Sequence, residues 1–269
     1  VPELPEIYNI AGQMDDSLVG KSLTGLEIRQ ERCLNMPTDS FRQTVLGKQI
    51  ESVSAKGKWL LTKFADGAHL LISLGMGGDI VYHPPGESYD GKYQFRLDLD
   101  DLGFIHIYFS WFGYVHAAAA GELAGHKMTA SLGICPLSPE FTRDRLHQLL
   151  AGRRGGIKAF LMDQHNIAGI GNVYIQDILF LAKLHPLRKI DTLRDAETTR
   201  LHEAIVSHLR RATDLGGLRW ERDFHGHLGR YEYALVGHRP GQPCPVCSTP
   251  VEEIRTGSTR SYICARCQV

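Results

Sequence analysis

Four cysteines within the last 26 of 269 residues carry the most specific chemistry in the sequence. Cys244-Pro-Val-Cys247 and Cys264-Ala-Arg-Cys267 give a C-x2-C-x16-C-x2-C spacing. Two such knuckles bring four thiolates around one tetrahedral Zn²⁺, each sulfur at ~2.3 Å. Two disulfides are the alternative. A reducing compartment disfavours them, and so short a tail has no core of its own, so metal is expected to hold it. Four thiolates leave no open position, so one structural zinc per chain is expected, holding a β-hairpin in which Ile254 and Tyr262 flank a Gly-Ser-Thr tip. Cys33 and Cys135 stand alone and read as small core hydrophobes.

A second pattern joins Lys158 to Gly169-Ile170-Gly171-Asn172. A helix from Ile157 ends near Gln164, glycines turn the chain, and a new helix is expected to start at Asn172. Glycine lets backbone N–H groups approach a phosphate, and the new helix points its positive end there. Asn172 can both cap that helix and donate to a phosphate. Mere packing of two helices is the other reading. Lys158, one helix upstream, puts the two readings on an equal footing.

The elements that must position these groups differ along the chain. Leu4, Ile7, Ile10, Met14 and Leu18 recur at steps of three and four, which predicts an amphipathic helix over 3–19. From Lys21 to about Val115 short apolar or alternating runs follow at 22–28, 50–53, 59–64, 69–74, 79–83, 93–99 and 104–109, with a short helix at 41–46. Turn signals such as Asp66-Gly67 and Pro84-Pro85-Gly86 separate the runs, as in a β-sandwich or barrel. Helical periodicity returns at 142–150, 157–163, 171–182 and 195–214, with starts at Ser138, Asn172 and Thr192 and a stop at Gly216-Gly217. Residues 218–240 lack periodicity and read as a mobile or ligand-ordered loop.

The composition, 43% hydrophobic and 22% charged, excludes a disordered, collagen-like or coiled-coil chain. No apolar run approaches ~18 residues, so no transmembrane helix and no membrane partner is expected. The acidic, proline-broken start Val1-Pro2-Glu3-Leu4-Pro5-Glu6 does not read as a secretory signal, which makes an intracellular, soluble protein the expectation. Net charge is zero, yet residues 1–149 hold 13 Lys and Arg against 18 Asp and Glu, and residues 150–269 hold 17 against 12. The basic second half is the better surface for a polyanion.

Several segments now stand in a fixed order. They are Pro2-Glu3-Leu4-Pro5-Glu6, Gly57-Lys58, Leu74-Gly75-Met76-Gly77-Gly78, Phe112-Gly113, Leu132-Gly133-Ile-Cys-Pro-Leu137, 157–174, Leu184-His185-Pro186, Arg222-Asp223-Phe224 and the cysteine tail. Together they resemble the bacterial formamidopyrimidine-DNA glycosylase / endonuclease VIII family of base-excision-repair enzymes over nearly the whole chain. The resemblance implies an α+β multidomain fold. Its parts would be an N-terminal β-sandwich with a leading helix (1–135), a helix–two-turn–helix domain (136–237) and a zinc β-hairpin (238–269), with DNA between the domains.

The resemblance also assigns roles. Pro2, as a free secondary amine, would attack the sugar C1′, expel the base and form an iminium that drives loss of phosphate. Glu3 would donate and accept the protons, and Lys58, on a strand after a glycine, would sit near the lesion phosphate. Met76 and Phe112 match residues that fill the gap left by the flipped nucleotide. Lys158 and Asn172 match phosphate contacts.

Four departures accompany the match. A retained Val1 would make the Pro2 nitrogen an unreactive tertiary amide, whereas a GTG start read as Met and trimmed would free it. Ser110 stands where the family's intercalating arginine belongs, and the adjacent Trp111 is either a stacking substitute or a core residue. The zinc-hairpin arginine falls one residue late, at Arg260, with Thr259 in its place, and a one-residue shift in a strand reverses side-chain direction. Only an irregular hairpin tip would let Arg260 reach the lesion phosphate. Finally, Ile175-Gln176-Asp177 replaces a usual Ala-Asp-Glu, and Ser73 a usual His. The expectation is a divergent bacterial, cytoplasmic, nucleoid-associated and monomeric glycosylase with abasic β,δ-lyase activity on damaged double-stranded DNA. A non-catalytic damage-binding paralogue is the rival, and an RNA- or ribosome-associated zinc protein the third reading.

Overall fold

The leading helix forms where its apolar spacing requires. In the computed structural model, which describes residues 2–232 and 235–269, α1 spans Leu4–Leu18. Its Leu4, Ile7, Ile10, Met14 and Leu18 are all buried. Seven of the ten strands coincide with the apolar runs, within a few residues: β1 (Leu23–Ile28), β2 (Ile50–Lys56), β3 (Trp59–Phe64), β4 (His69–Ser73), β5 (Asp79–His83), β6 (Phe95–Leu99) and β7 (Phe104–Tyr108). An eighth, β8 (Tyr114–Ala118), matches none of the runs and straddles the expected end of the strand region near Val115. Helix α2 (Thr38–Val45) sits between β1 and β2.

These strands make two antiparallel sheets, ordered β2-β3-β4-β8 and β1-β6-β7-β5. Alternation explains their facing: in β6, Phe95, Leu97 and Leu99 are buried while Arg96 and Asp98 are not. Inward residues of both sheets join α1 in one core that includes Ile10, Leu60, Ile72, Ile80, Leu97 and Ile107. Asp15 of α1 accepts from the Val53 N–H of β2 at 2.6 Å and ties helix to sheet.

The chain divides into two compact units. One comprises 1–131 and 215–230; the other comprises 132–214 and 231–269. The helical domain expected at 136–237 is therefore interrupted, because 215–230 belongs with the sandwich. The Glu6 carboxylate accepts from Leu218 N–H, Gln13 accepts from Phe224 N–H, and the Tyr82 N–H of β5 donates to the Phe224 carbonyl. Phe224 is wholly buried and stacks on Tyr82. The segment expected to be a mobile or ligand-ordered loop is thus tied to the sandwich by hydrogen bonds at Leu218 and Phe224; 233–234 lie outside the described residues.

The second unit holds α3 (Arg143–Leu150), α4 (Ile157–Met162), α5 (Ile175–Leu181) and α6 (Asp195–Asp214), then the hairpin β9 (Glu252–Thr256) and β10 (Thr259–Ile263). The helix starts differ from expectation. Thr142, not Ser138, caps α3 through its side chain, and α5 begins at Ile175 after a turn at 172–174. The hairpin is packed on α5, sharing a small core of Phe180, Val236, Val251 and Tyr262 with the cysteines. Helix, sandwich and hairpin together make the α+β fold that the sequence predicts.

Candidate functional site

The head of α1 is a reciprocal capping box: Glu3 is the N-cap, and the Glu6 carboxylate accepts from the Glu3 N–H at 2.8 Å. Glu6 uses its second oxygen to accept from Leu218 N–H at 2.9 Å, so one buried carboxylate fixes both the helix start and the 215–230 segment. Gly217 makes room for it. A Cβ there would lie 2.6 Å from Glu6 Oε1, and its φ of +82° suits glycine. Pro2 and Glu3 are both buried. Lys58 extends toward them, with Nζ 4.0 Å from Glu3 Oε1. It does not lie on a strand, as expected, but in the two-residue turn Gly57-Lys58 joining β2 to β3. Pro2, Glu3 and Lys58, distant in sequence, thus come to one place. Val1 lies outside the described residues.

Two further acids, one buried and one half-buried, were given no role from the sequence. Glu6 reads as an ordinary first-turn acid that suits the helix dipole. Glu221 belongs to the aperiodic segment. Burial raises its carboxyl above the usual range, and the like charges of Asp79 and Glu3 add to the effect.

Met76, Trp111 and Phe112 gather at the end of the sandwich. The Met76 N–H donates to the Trp111 carbonyl at 2.8 Å, and Ser110 N–H donates to the Met76 carbonyl at 2.9 Å. Gly75 permits this approach, since a Cβ there would fall 2.2 Å from the Trp111 carbonyl oxygen. The side chains point outward: Met76 is 42% exposed, Trp111 66% and Phe112 72%. Trp111 is therefore not a core residue. Phe112 has φ of +58°, a left-handed conformation costing about 1–2 kcal/mol in a non-glycine residue. Ser110 touches Tyr108 by its hydroxyl and places no cation beside this apolar group.

The second unit alters two expectations. Lys158 does not stand free to meet a phosphate. It is 3% exposed, and its Nζ donates to Ser261 Oγ at 2.8 Å, the Arg260 carbonyl at 2.9 Å, Thr259 Oγ1 at 3.0 Å and Thr256 Oγ1 at 3.1 Å. Four acceptors share three ammonium hydrogens, so none is left for a ligand. Burial pushes its pKa down to about 8. Arg260 does not reach that side either. The β9–β10 register runs without a bulge from Thr259↔Thr256 to Ile263↔Glu252. Thr259 and Ser261 face Lys158, and Arg260 points the other way, exposed and 3.2 Å from Glu253. Asn172 is not the cap of α5; Tyr174 is. Its side-chain oxygen accepts from Gln176, whose own oxygen accepts from Tyr262 N–H of the hairpin. The backbone N–H of Gly169 is already taken by Gln164.

The departures at 176 and 177 have structural roles. Gln176 docks the hairpin, and buried Asp177 accepts from the N–H groups of Val236 and Gly237 and from the Tyr231 hydroxyl. Sequence reading could flag both only as unusual.

The sulfurs of Cys244, Cys247, Cys264 and Cys267 lie within 4.8 Å of one another. Pairs are separated by 3.4, 3.5 and 3.9 Å, close to the ~3.8 Å edge of a tetrahedron with 2.3 Å bonds. An all-thiolate set of this size fits one zinc ion, and the site is structural. Among the described residues no helix is long and apolar enough to cross a membrane.

Three family models match in order: the formamidopyrimidine-DNA glycosylase N-terminal domain over 1–108, its H2TH domain over 132–222, and a zinc finger found in FPG and IleRS over 241–269. Formamidopyrimidine-DNA glycosylases of Chloroflexus aurantiacus and Chloroflexus aggregans are 36% and 37% identical, covering 100% of this chain and 98% and 99% of theirs. The MutM (FPG) structure from Thermus thermophilus superposes with a TM-score of 0.88 at 28% identity, covering 99% of this chain and 98% of that one. Lactococcus lactis Fpg in complex with abasic-site DNA has a TM-score of 0.90 at 23% identity, covering 99% of each chain, which bears on the fold. Matched from end to end in sequence, in the order of its domains and in its zinc ligands, the chain belongs to the formamidopyrimidine-DNA glycosylase family.

Proposed function

We propose that this protein is a base-excision-repair DNA glycosylase that also cleaves at abasic sites, with Pro2 as its nucleophile. The observation that carries the reading is the approach of Lys58 to Glu3, directly beside Pro2 at the head of α1. With its amine free, Pro2 adds to C1′ as the bond to the base breaks. The iminium so formed is cationic without further protonation, and it accepts the electrons released as the 3′ and then the 5′ phosphate departs. The Glu3 carboxylate moves the protons of these steps, and the Lys58 ammonium meets the neighbouring phosphate. Met76, Trp111 and Phe112 fill the space of the everted nucleotide in a double-stranded substrate. Trp111 supplies there an aromatic face in place of the family's arginine. The half-exposed Asn172 amide is a phosphate donor in this reading, whereas Lys158 acts through the hairpin it holds. The proposed setting is the bacterial cytoplasm, with the protein acting as a monomer.

Borohydride trapping tests the proposal. Protein whose free Pro2 has been verified by mass, incubated with a duplex carrying one abasic site, is expected to give a covalent adduct that Pro2→Gly weakens and Val1-blocked protein lacks. Binding without any adduct would leave only a damage-binding protein.

A further inference from the structure

Asp79, His83 and His106 share the outer face of the β1-β6-β7-β5 sheet, because Ile80, Ile105 and Ile107, which alternate with them, point into the core. The register pairs Val81 with His106, so Asp79, two residues earlier on β5, is the diagonal neighbour of His106 on β7. The three side chains line a cavity of about 410 Å³. Two atoms in it are out of place. His106 Nε2 and Asp79 Oδ1 are both buried, and neither has a hydrogen-bond partner although they lie 3.4 Å apart. The oxygen therefore sits off the axis of the ring nitrogen. Buried polar atoms are paired as a rule, so this pair calls for a partner that bonds to both.

The neighbouring hydrogen bonds decide what that partner is. Glu87 Oε2 lies 3.3 Å from His83 Nδ1, and His83 Nε2 lies 2.8 Å from His106 Nδ1. A carboxylate only accepts, so the His83 hydrogen is on Nδ1. Burial, above all, lowers the proton affinity of His83, so its Nε2 is bare and accepts from His106 Nδ1. His106 then turns a lone pair on Nε2 toward a carboxylate oxygen, and a cation between them satisfies both. A proton on Nε2 would make an ion pair, but such a bond is straight and about 2.7–2.9 Å long. A separation of 3.4 Å is instead the edge of a tetrahedron with bonds of about 2.0–2.1 Å, which is about 3.3–3.4 Å. An octahedral ion with bonds of that length would need about 3.0 Å. An ion on the axis of the ring nitrogen would also lie beside the N···O line, as the missing hydrogen bond requires. Tyr89 stacks on His106 at 4.0 Å and 6°, and Phe104 on His83 at 4.5 Å, so both rings are held in place.

We propose that His106 Nε2 and Asp79 Oδ1 bind a divalent transition-metal ion of the zinc type, at a second metal site apart from the four cysteines. Imidazole with carboxylate suits Zn²⁺ or Co²⁺, whereas Mg²⁺ and Ca²⁺ take oxygen ligands. His83 and Glu87 form the outer hydrogen bonds that fix the tautomer of a ligating imidazole. Among the described residues only the cysteines bring three or more such ligands together, so this site has two protein ligands. The other two positions of the tetrahedron face the cavity and take water or a small anion such as a carboxylate. Lys92 and Arg222, which also line the cavity, supply the positive charge for that anion. The ion ties β5 to β7 on the face away from the core. The site goes beyond the glycosylase reading and does not depend on it.

The test uses the full chain with its cysteine site already filled with zinc, dialysed against micromolar Zn²⁺. Elemental analysis is expected to give two zinc ions per chain for wild type and one for Asp79→Asn, an isosteric change at a partly exposed side chain. Other histidines on the surface can hold zinc adventitiously, so the position is measured separately on wild type. Anomalous scattering at the zinc edge from crystals soaked in Zn²⁺ should show one peak at the cysteines and one within bonding distance of both His106 Nε2 and Asp79 Oδ1. The second measurement needs no variant, so a misfolded Asp79→Asn does not shield the proposal. Equal zinc content in the two proteins, or no peak between His106 and Asp79, would overturn the site. Neither result bears on borohydride trapping through Pro2, which tests the glycosylase reading by itself.

Discussion

Glu6→Gln is an isosteric change whose effect follows from two backbone hydrogen bonds. Both carboxylate oxygens are acceptors, one for Glu3 N–H at 2.8 Å and one for Leu218 N–H at 2.9 Å. An amide has one oxygen. Glutamine therefore keeps one bond, weakened by loss of charge, and turns its NH₂ toward the other N–H, which is buried with nothing to accept from it. Hydrogen bonds to a charged group contribute about 1.5–3 kcal/mol, a neutral one about 1, and an orphaned buried donor costs about 1–3, so a net loss of about 2–4 kcal/mol is expected. At about 2–4 °C per kcal/mol, the thermal midpoint of the sandwich transition should fall by roughly 5–15 °C. Calorimetry of the full chain measures that shift, and borohydride trapping on an abasic duplex measures its chemical consequence. The trapping rate should fall at least tenfold even at temperatures where the variant is folded, because one side chain no longer holds both the Glu3 backbone and the 215–230 segment. A midpoint within 2 °C of wild type would refute the account of Glu6 as the tie between the helix start and the 215–230 segment.

Four other outcomes are expected. Trp111→Ala should weaken binding to an abasic duplex by the worth of one stacked base, about 1–3 kcal/mol, without shifting the thermal midpoint, since the ring is 66% exposed; unchanged affinity on titration would remove Trp111 from the interface. Lys158→Met should destabilise the hairpin while preserving the slope of log affinity against log salt, and a slope shallower by about 0.9 would instead place the ammonium on a phosphate. Cys264→Ser should lose zinc by elemental analysis and expose hairpin amides to hydrogen exchange; full retention of zinc would contradict a four-thiolate site. Burial, and next the neighbouring His126, push His116 down to about 4 from 6.5. The unfolded chain therefore takes up a proton that the folded one resists, so stability should fall as pH drops from about 6.5 toward 4. His116→Phe should flatten that limb in urea titrations, and equal slopes for the two proteins would exclude His116 as its source.

Sequence alone determined what depends on local period and on spacing. The face of α1, seven strands, the 20 residues of α6 and the metal tail could be read because helical repeat, strand alternation and C-x2-C spacing are local properties. Strand β8 escaped because only its first two residues, Tyr114 and Val115, have strong strand character before His116-Ala117-Ala118, and its edge is completed by Asn35, 82 residues away, which bonds both the N–H and the carbonyl of Ala117. Resemblance could point to Pro2, Glu3 and Lys58, but only folding brought Lys58 to Glu3, through a tight turn between β2 and β3. The tertiary structure also decided matters of direction and partnership. It turned Trp111 outward, enclosed Lys158 among four hairpin acceptors, set Arg260 on the opposite face and returned 215–230 to the sandwich. The physical reason is that periodicity encodes which side of an element is apolar, whereas a polar group's role depends on which partners the chain brings within about 3 Å of it.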